Sequence, residues 1–416
     1  MRADGKEFDG SVMHIHWNRL TKKEIQDSIG KALSTNVSYR NNKIMGVPGS
    51  ALSPHIITPE LVQGDPLLRV MLENPNHIGC LTIEKESESF FSGTHQLECE
   101  AIKLCAEEIM QGLPNQQDGY IAGGGTECNL EAMWIFRNYF IQNFGSQTSE
   151  IGLLFSEDSS ISVIKGCDLL NIRPFVVRVT PKNRKMDKEH LRAQIILAKN
   201  EGIKYFIGII NLGTEMFGSV DDLDTVCACL EEQTLPYKIH VDAGLGGFIY
   251  PFTKPGNKLN FKNPNITSIH SDASKMLRAP FGTSVFMIRK GYMNFALTPE
   301  ARYVAGKDHT IIGSRSGSNA IALWMLLRTL GSDGVRLMME RIARYAHQLC
   351  QTLDSTGVNY FYEPGMNVIA IRQEDVTKDL KDKYALVPDD PENPRWWRTL
   401  ITDGVTPAFI DAVNNP

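Results

Sequence analysis

Lys275 stands in the stretch SIHSDASKMLRAPFG, residues 268 to 282, as a lone cation among small and hydroxyl residues, followed by an apolar, proline-bent run. An amine in such a loop is either a solvated surface lysine or a nucleophile toward a carbonyl. Asp242 ends the apolar run KIHVDAGLGGF, and the small residues after it leave space beside its carboxylate, although a helix-capping or turn aspartate would look the same. In GYIAGGGTECNLEAMW, residues Gly123, Gly124, Gly125 and Thr126 lead directly into a helical pattern. Free backbone N–H groups, the helix dipole and a threonine hydroxyl suit a phosphate there. A tight strand-to-helix turn is the alternative, and the spacing is neither a Walker A loop nor a dinucleotide fingerprint. Taken together, the three features are what pyridoxal 5'-phosphate requires: a lysine for the Schiff base, an aspartate to keep the pyridine nitrogen protonated, and a helix end for the phosphate.

Three such groups scattered over 150 residues act together only if the fold gathers them. The runs IGLLFS (151 to 156), FVVRVT (175 to 180), YFIGIINLG (205 to 213) and YKIHVDA (237 to 243) are short, apolar and rich in β-branched residues. They alternate with the helical patterns DKEHLRAQIILAKNEG (187 to 202) and VDDLDTVCACLEEQ (220 to 233). This alternation predicts a mostly parallel sheet covered on both faces, in which ligands collect outside the carboxyl ends of the strands. ITSIHSD and TSVFMIRK bracket Lys275 as a further strand pair. A helical face of Leu97, Ala101, Leu104 and Cys105 is predicted over residues 94 to 110. The expected organisation is an N-terminal arm (1–75), a large cofactor domain (76–312) and a small C-terminal α+β domain (313–416), in which Trp396 and Trp397 read as packing anchors.

The chain has 416 residues, 42% of them hydrophobic, and a formal net charge of −5. Without a basic excess or a Lys/Arg block it is not expected to bind nucleic acid or a membrane surface. No metal site is expected, because Cys227 and Cys229 lack a second pair or a nearby histidine. The eight cysteines read as buried thiols and the N-terminus is polar, so a cytoplasmic protein is expected.

Six segments in order, GGTECN (124 to 129), SEDSSISVIKG (156 to 166), NLGTEMFGSVDD (211 to 222), HVDAGLGGFIYPF (240 to 252), SDASKM (271 to 276) and YVAGKDHTIIGSRSG (303 to 317), resemble the group II pyridoxal-phosphate-dependent amino-acid decarboxylases. The tyrosine-to-GSR segment is most similar to the histidine and serine decarboxylase branch. The resemblance implies a fold-type I α/β architecture and removal of the α-carboxylate of an L-amino acid as CO2. It also implies a homodimer whose active sites are shared between subunits. By position, Lys275 matches the Schiff-base lysine, Asp242 the pyridine-nitrogen partner, and Gly125 with Thr126 the phosphate turn. Thr214 and Asp221 fall in the segment lining the other edge of the ring. Tyr303 is the candidate for positioning or protonating the intermediate, and Arg315 serves either the substrate carboxylate or the bracing of the site.

Three positions depart from the family pattern. Ser160 stands where a histidine usually stacks on the cofactor ring, Ser274 replaces the histidine before the lysine, and Glu215 replaces the second threonine of GTT. Cofactor capture is expected to survive these changes, with reaction specificity the more exposed property. Another carbon–carbon lyase of the same fold, or a cofactor-binding protein with little activity, remain the alternatives at this point.

Overall fold

The computed structural model describes residues 15–37, the backbone of 77–78, and residues 89–296 and 308–414. The predicted alternation forms a seven-stranded sheet. Its strands are β1 (Gln117–Ala122), β2 (Ile151–Ser156), β3 (Arg173–Val177), β4 (Tyr205–Asn211), β5 (Tyr237–Asp242), β6 (Ile266–Asp272) and β7 (Ser284–Arg289). The spatial order is β1-β7-β6-β5-β4-β2-β3. From β6 to β3 all neighbours are parallel, while β7 runs antiparallel to both β6 and β1. Every residue of β1, β2 and β6 is buried, as strands covered on both faces require.

The helices that bear on the site are α1 (Lys22–Thr35), α2 (Ser92–Lys103), α3 (Gly125–Phe144), α4 (Ile161–Leu170), α5 (Lys188–Asn200), α6 (Leu223–Glu232) and α7 (Gly317–Thr356). Leu97, Ala101, Leu104 and Cys105 are all buried, but the segment changes at Leu104 into a π-helical turn, Leu104–Ile109. Helix α1 starts at a capping box in which Thr21 and Glu24 satisfy each other's backbone N–H groups. Just before it, Trp17 is buried and donates its indole N–H to Leu327 O at 2.9 Å, tying the segment before α1 to α7. Gly331 interrupts α7 at φ +65°, and a Cβ there would lie 2.9 Å from Arg19 N, so a glycine lets the backbone at Arg19 cross.

A second, antiparallel sheet holds β8 (Tyr360–Tyr362), β9 (Val368–Arg372), β10 (Val387–Pro388) and β11 (Trp396–Leu400) in the order β8-β9-β11-β10. It packs against the loop after β4. The ring of Phe217 meets Phe361 and Trp396 edge-on, with centroids 5.9 and 5.7 Å apart. Among the described residues, no helix is long and apolar enough to cross a membrane, and no cluster of His, Cys, Asp and Glu could hold a metal ion.

Candidate active site

The carboxyl ends of β4, β5 and β6 and the N-terminus of α3 converge on a polar cavity of about 120 Å³. Gly125, Thr126, Ser160, Thr214, Asp242 and Lys275 all line it. A larger cavity of about 910 Å³, lined in part by Met216, Phe217 and Trp396, shares Ser160 and Glu215 with it. The parallel order of β4, β5 and β6 is what brings residues 214, 242 and 275 to one rim.

Asp242 is the most elaborately held group. Its Oδ2 accepts the Asn129 amide N–H at 2.9 Å and its Oδ1 accepts the Gly244 backbone N–H at 3.1 Å. His270 Nε2 lies 3.3 Å from Oδ1. Behind it, His270 Nδ1 is 3.0 Å from His240 Nε2, and His240 Nδ1 is 2.7 Å from Ser268 Oγ. The Asn129 Nδ2 group is committed to Asp242 and to Ser162 Oγ, which leaves its Oδ1 facing His240 Nε2 at 3.1 Å. His240 therefore carries its proton on Nε2, His270 Nδ1 accepts, and His270 Nε2–H points at Asp242. Burial, with the neighbouring His270 adding to it, holds His240 well below the usual histidine range and keeps it neutral. Burial alone would raise the Asp242 carboxyl. The His270 ring, the Asn129 amide, His240 and the Gly244 N–H outweigh that effect and hold it below the usual aspartate range. The result is a buried carboxylate held below the usual aspartate range, suited to a protonated ring nitrogen.

Lys275 lies in the single helical turn Ala273–Met276, immediately after β6. Its ammonium pairs with Glu215 and sits 3.2 Å from Asp272 Oδ2. Burial works against the charged amine, but the Asp272 and Glu215 carboxylates prevail and raise Lys275 above the ordinary lysine range. Ser284 Oγ donates to Asp272 Oδ1 at 2.5 Å and fixes that carboxylate. The α3 N-terminus comes so close that a Cβ on Gly125 would lie 3.0 Å from both Asp272 oxygens. Only a residue without a side chain leaves the helix N–H groups open to an anion.

The remaining sequence candidates separate. Ser160 is the N-cap of α4, accepting the Ser162 N–H at 3.3 Å, and its hydroxyl lies 2.9 Å from Ser162 Oγ. Thr214 Oγ1 accepts the Ser219 N–H at 3.1 Å and closes the turn that presents Glu215. Asp221 is not a lining residue: it accepts from the backbone and side chain of Asn211 at 2.8 and 2.7 Å and thereby aims Asn211 into the cavity. Burial pushes Asp221 up to about 7. Ser274 donates its backbone N–H to Thr283 O at 3.3 Å. Arg315 is buried on the far side of β1, paired with Glu98, donating to Ile121 O at 3.0 Å and lying over the Tyr120 ring. Those contacts make it a brace between α2, β1 and the start of α7. Tyr303 lies outside the described residues. Sequence reasoning passed over Asn129, His270 and Asp272. The period of two along SIHSD, which puts 268, 270 and 272 on one face of β6, was the available signal, as was the same spacing between His240 and Asp242.

An ionised carboxylate on one wall, an open helix N-terminus on another and a lysine at the rim fit pyridoxal 5'-phosphate. Comparison with known proteins agrees. The model of the pyridoxal-dependent decarboxylase conserved domain matches residues 67–372. A tryptophan decarboxylase of Clostridium sporogenes is 39% identical over 403 residues, covering 96% of this chain and 95% of the relative. A histidine decarboxylase of Solanum lycopersicum is 35% identical over 217 residues, about half of each chain. Among solved structures, L-methionine decarboxylase from Streptomyces sp. 590 superposes with a TM-score of 0.69 at 19% identity, over 99% of this chain and 97% of that one, so it shares the fold. The chain thus belongs to the pyridoxal-dependent decarboxylases, with the fold-type I architecture, and is an amino-acid decarboxylase that uses pyridoxal 5'-phosphate.

Proposed function

We propose that Lys275 carries the cofactor, that Asp242 pairs with its ring nitrogen, that Gly125 and Thr126 take its phosphate, and that the substrate is an aromatic L-amino acid of the tryptophan type. The observation that carries the assignment is the shared rim of Lys275, Asp242 and the α3 N-terminus around one polar cavity. When bound, the cofactor supplies an electron sink for the pair left behind as CO2 departs. The chain's own residues do the rest. Asp242, kept ionised by His270 and Asn129, holds a proton on the ring nitrogen, and the Gly125 N–H end of α3 orients the phosphate. Support for an aromatic substrate comes from the tryptophan decarboxylase relative.

A homodimer and a cytoplasmic location belong to the same proposal. Ile161, 80% exposed, lines the larger cavity, and Phe281 is 98% exposed, so apolar surface is left for a second copy to cover. All seven cysteines among the described residues are free thiols, which suits a reducing compartment. Sedimentation tests the dimer.

Lys275→Ala is expected to abolish both the visible absorbance of the bound cofactor and its trapping by borohydride. A trapped peptide containing another lysine would overturn the assignment. A panel of L-amino acids with CO2 and amine detection is expected to give the highest kcat/KM for an aromatic substrate, and a preference for aspartate, glutamate or serine would refute that part.

A further inference from the structure

Glu215 is the departure from the family pattern that the functional reading leaves unexplained. It lies at the junction of the two cavities, lining both. Its backbone is locked by the turn between Gly213, at φ +95°, and Ser219, whose N–H and hydroxyl engage Thr214. One side of Glu215 pairs with the Lys275 ammonium. The other is held by the small sheet: Arg398 of β11 donates to Glu215 O at 2.8 Å, and its guanidinium lies 3.5 Å from Glu215 Oε2. A continuous line of charges, Lys275, Glu215 and Arg398, therefore connects the reactive amine to the C-terminal sheet.

We infer that Glu215 gates covalent capture of the cofactor by holding Lys275 as an ammonium, and that Arg398 sets the strength of that hold. This rests on the reading of Lys275 as the cofactor lysine. The amine adds to the aldehyde carbon only when neutral. Its lone pair forms the C–N bond, the carbonyl oxygen leaves as water with the two nitrogen protons, and the proton lost beforehand from the ammonium goes to solvent. Every carboxylate beside the ammonium makes that first deprotonation harder. The charged and titratable groups around Lys275 are Asp272 and His270 on its own strand and turn, Asp242 on β5, Glu215 after β4, and Arg398 behind Glu215 on β11. Glu215 is the member of this set that is half exposed, with 53% of its side chain accessible, and tied to the small sheet. Withdrawing its charge leaves Asp272 and Asp242 in place around the lysine.

The test is the rate at which the full-length cofactor-free protein develops the visible absorbance of captured pyridoxal 5'-phosphate, followed by stopped flow across pH. For Glu215→Gln the midpoint of the rate profile is expected to move to lower pH by about one unit, giving roughly tenfold faster capture below the wild-type midpoint. For Arg398→Met, which leaves Glu215 to Lys275 alone, the midpoint is expected to move the other way. Glu215→Asp, which keeps the charge, should stay near wild type. A merely structural role would scale the rate at every pH without moving the midpoint, and an unmoved midpoint in Glu215→Gln overturns the inference. Lys275→Ala separates the two levels. If that variant still captures cofactor covalently, the lysine assignment is wrong; if it does not and Glu215→Gln is unshifted, only the gate is wrong.

Discussion

Glu131 on α3 offers a test of how the wall behind the cavity is built. Its side chain is fully buried, and Oε2 accepts the Tyr120 hydroxyl at 3.2 Å and the Ile311 N–H at 3.1 Å, so it ties α3 to the segment leading into Arg315. Its Oε1 has no hydrogen-bond partner among the described residues. Two neutral donors do not compensate a buried charge, and burial pushes Glu131 up to about 8. The folded chain therefore keeps this proton at pH values where the unfolded chain, titrating near 4.5, has lost it. A group whose folded pKa is raised contributes stability that is fully present below the unfolded value and is lost as pH rises through the folded value. Glu131→Gln keeps the shape and the acceptor but cannot ionise. Relative to that variant, the wild type should lose about 3 kcal/mol of stability between about pH 5 and about pH 8. Urea unfolding of both proteins across that range gives the difference directly, with Glu127→Gln as a control for the neighbouring carboxyl. A difference that stays constant with pH would refute the reasoning, because it would mean that Glu131 titrates alike in the folded and unfolded chains.

Gly125→Ala should crowd the Asp272 carboxylate, whose oxygens would lie 3.0 Å from the new Cβ. A loss of about 1–3 kcal/mol in folding stability, together with weaker cofactor binding by absorbance titration, is expected, and unchanged values would place the α3 N-terminus away from the phosphate. Ser160→Ala should cost about 1 kcal/mol in urea unfolding through loss of the α4 cap, while the cofactor is still captured. A variant as stable as wild type would show that the contact with the Ser162 N–H contributes nothing.

Much of the site could be read from the chain because its chemistry rides on local geometry. A glycine turn entering a helix exposes N–H groups wherever it occurs, so Gly125 and Thr126 stood out before any contact was known. A strand that ends in aspartate followed by small residues marks Asp242 in the same way, and the alternation of apolar runs with helical patterns foretold the parallel sheet to within a few residues at each end. Antiparallel β7, the π-helical turn after α2 and the capping box of α1 were not foreseen: the first depends on how the chain returns beside β6, the second on a local shift of backbone hydrogen bonds, and the third on two reciprocal side-chain bonds.

The three-dimensional arrangement added what links distant parts of the chain. Asn129 reaches Asp242 across 113 positions and Arg315 reaches Glu98 across 217, and no periodicity encodes either pair. The order β6-β5-β4 aligns Asp242 with His270 and closes Glu215 onto Lys275. Burial then gives the same carboxyl group different charge states: Asp242, with donors around it, is held ionised, whereas Glu131, with two neutral donors among the described residues, keeps its proton. Local sequence supplies the type and direction of a side chain. Its charge state depends on desolvation and on neighbours brought in by the fold, and those exist only once the chain has folded.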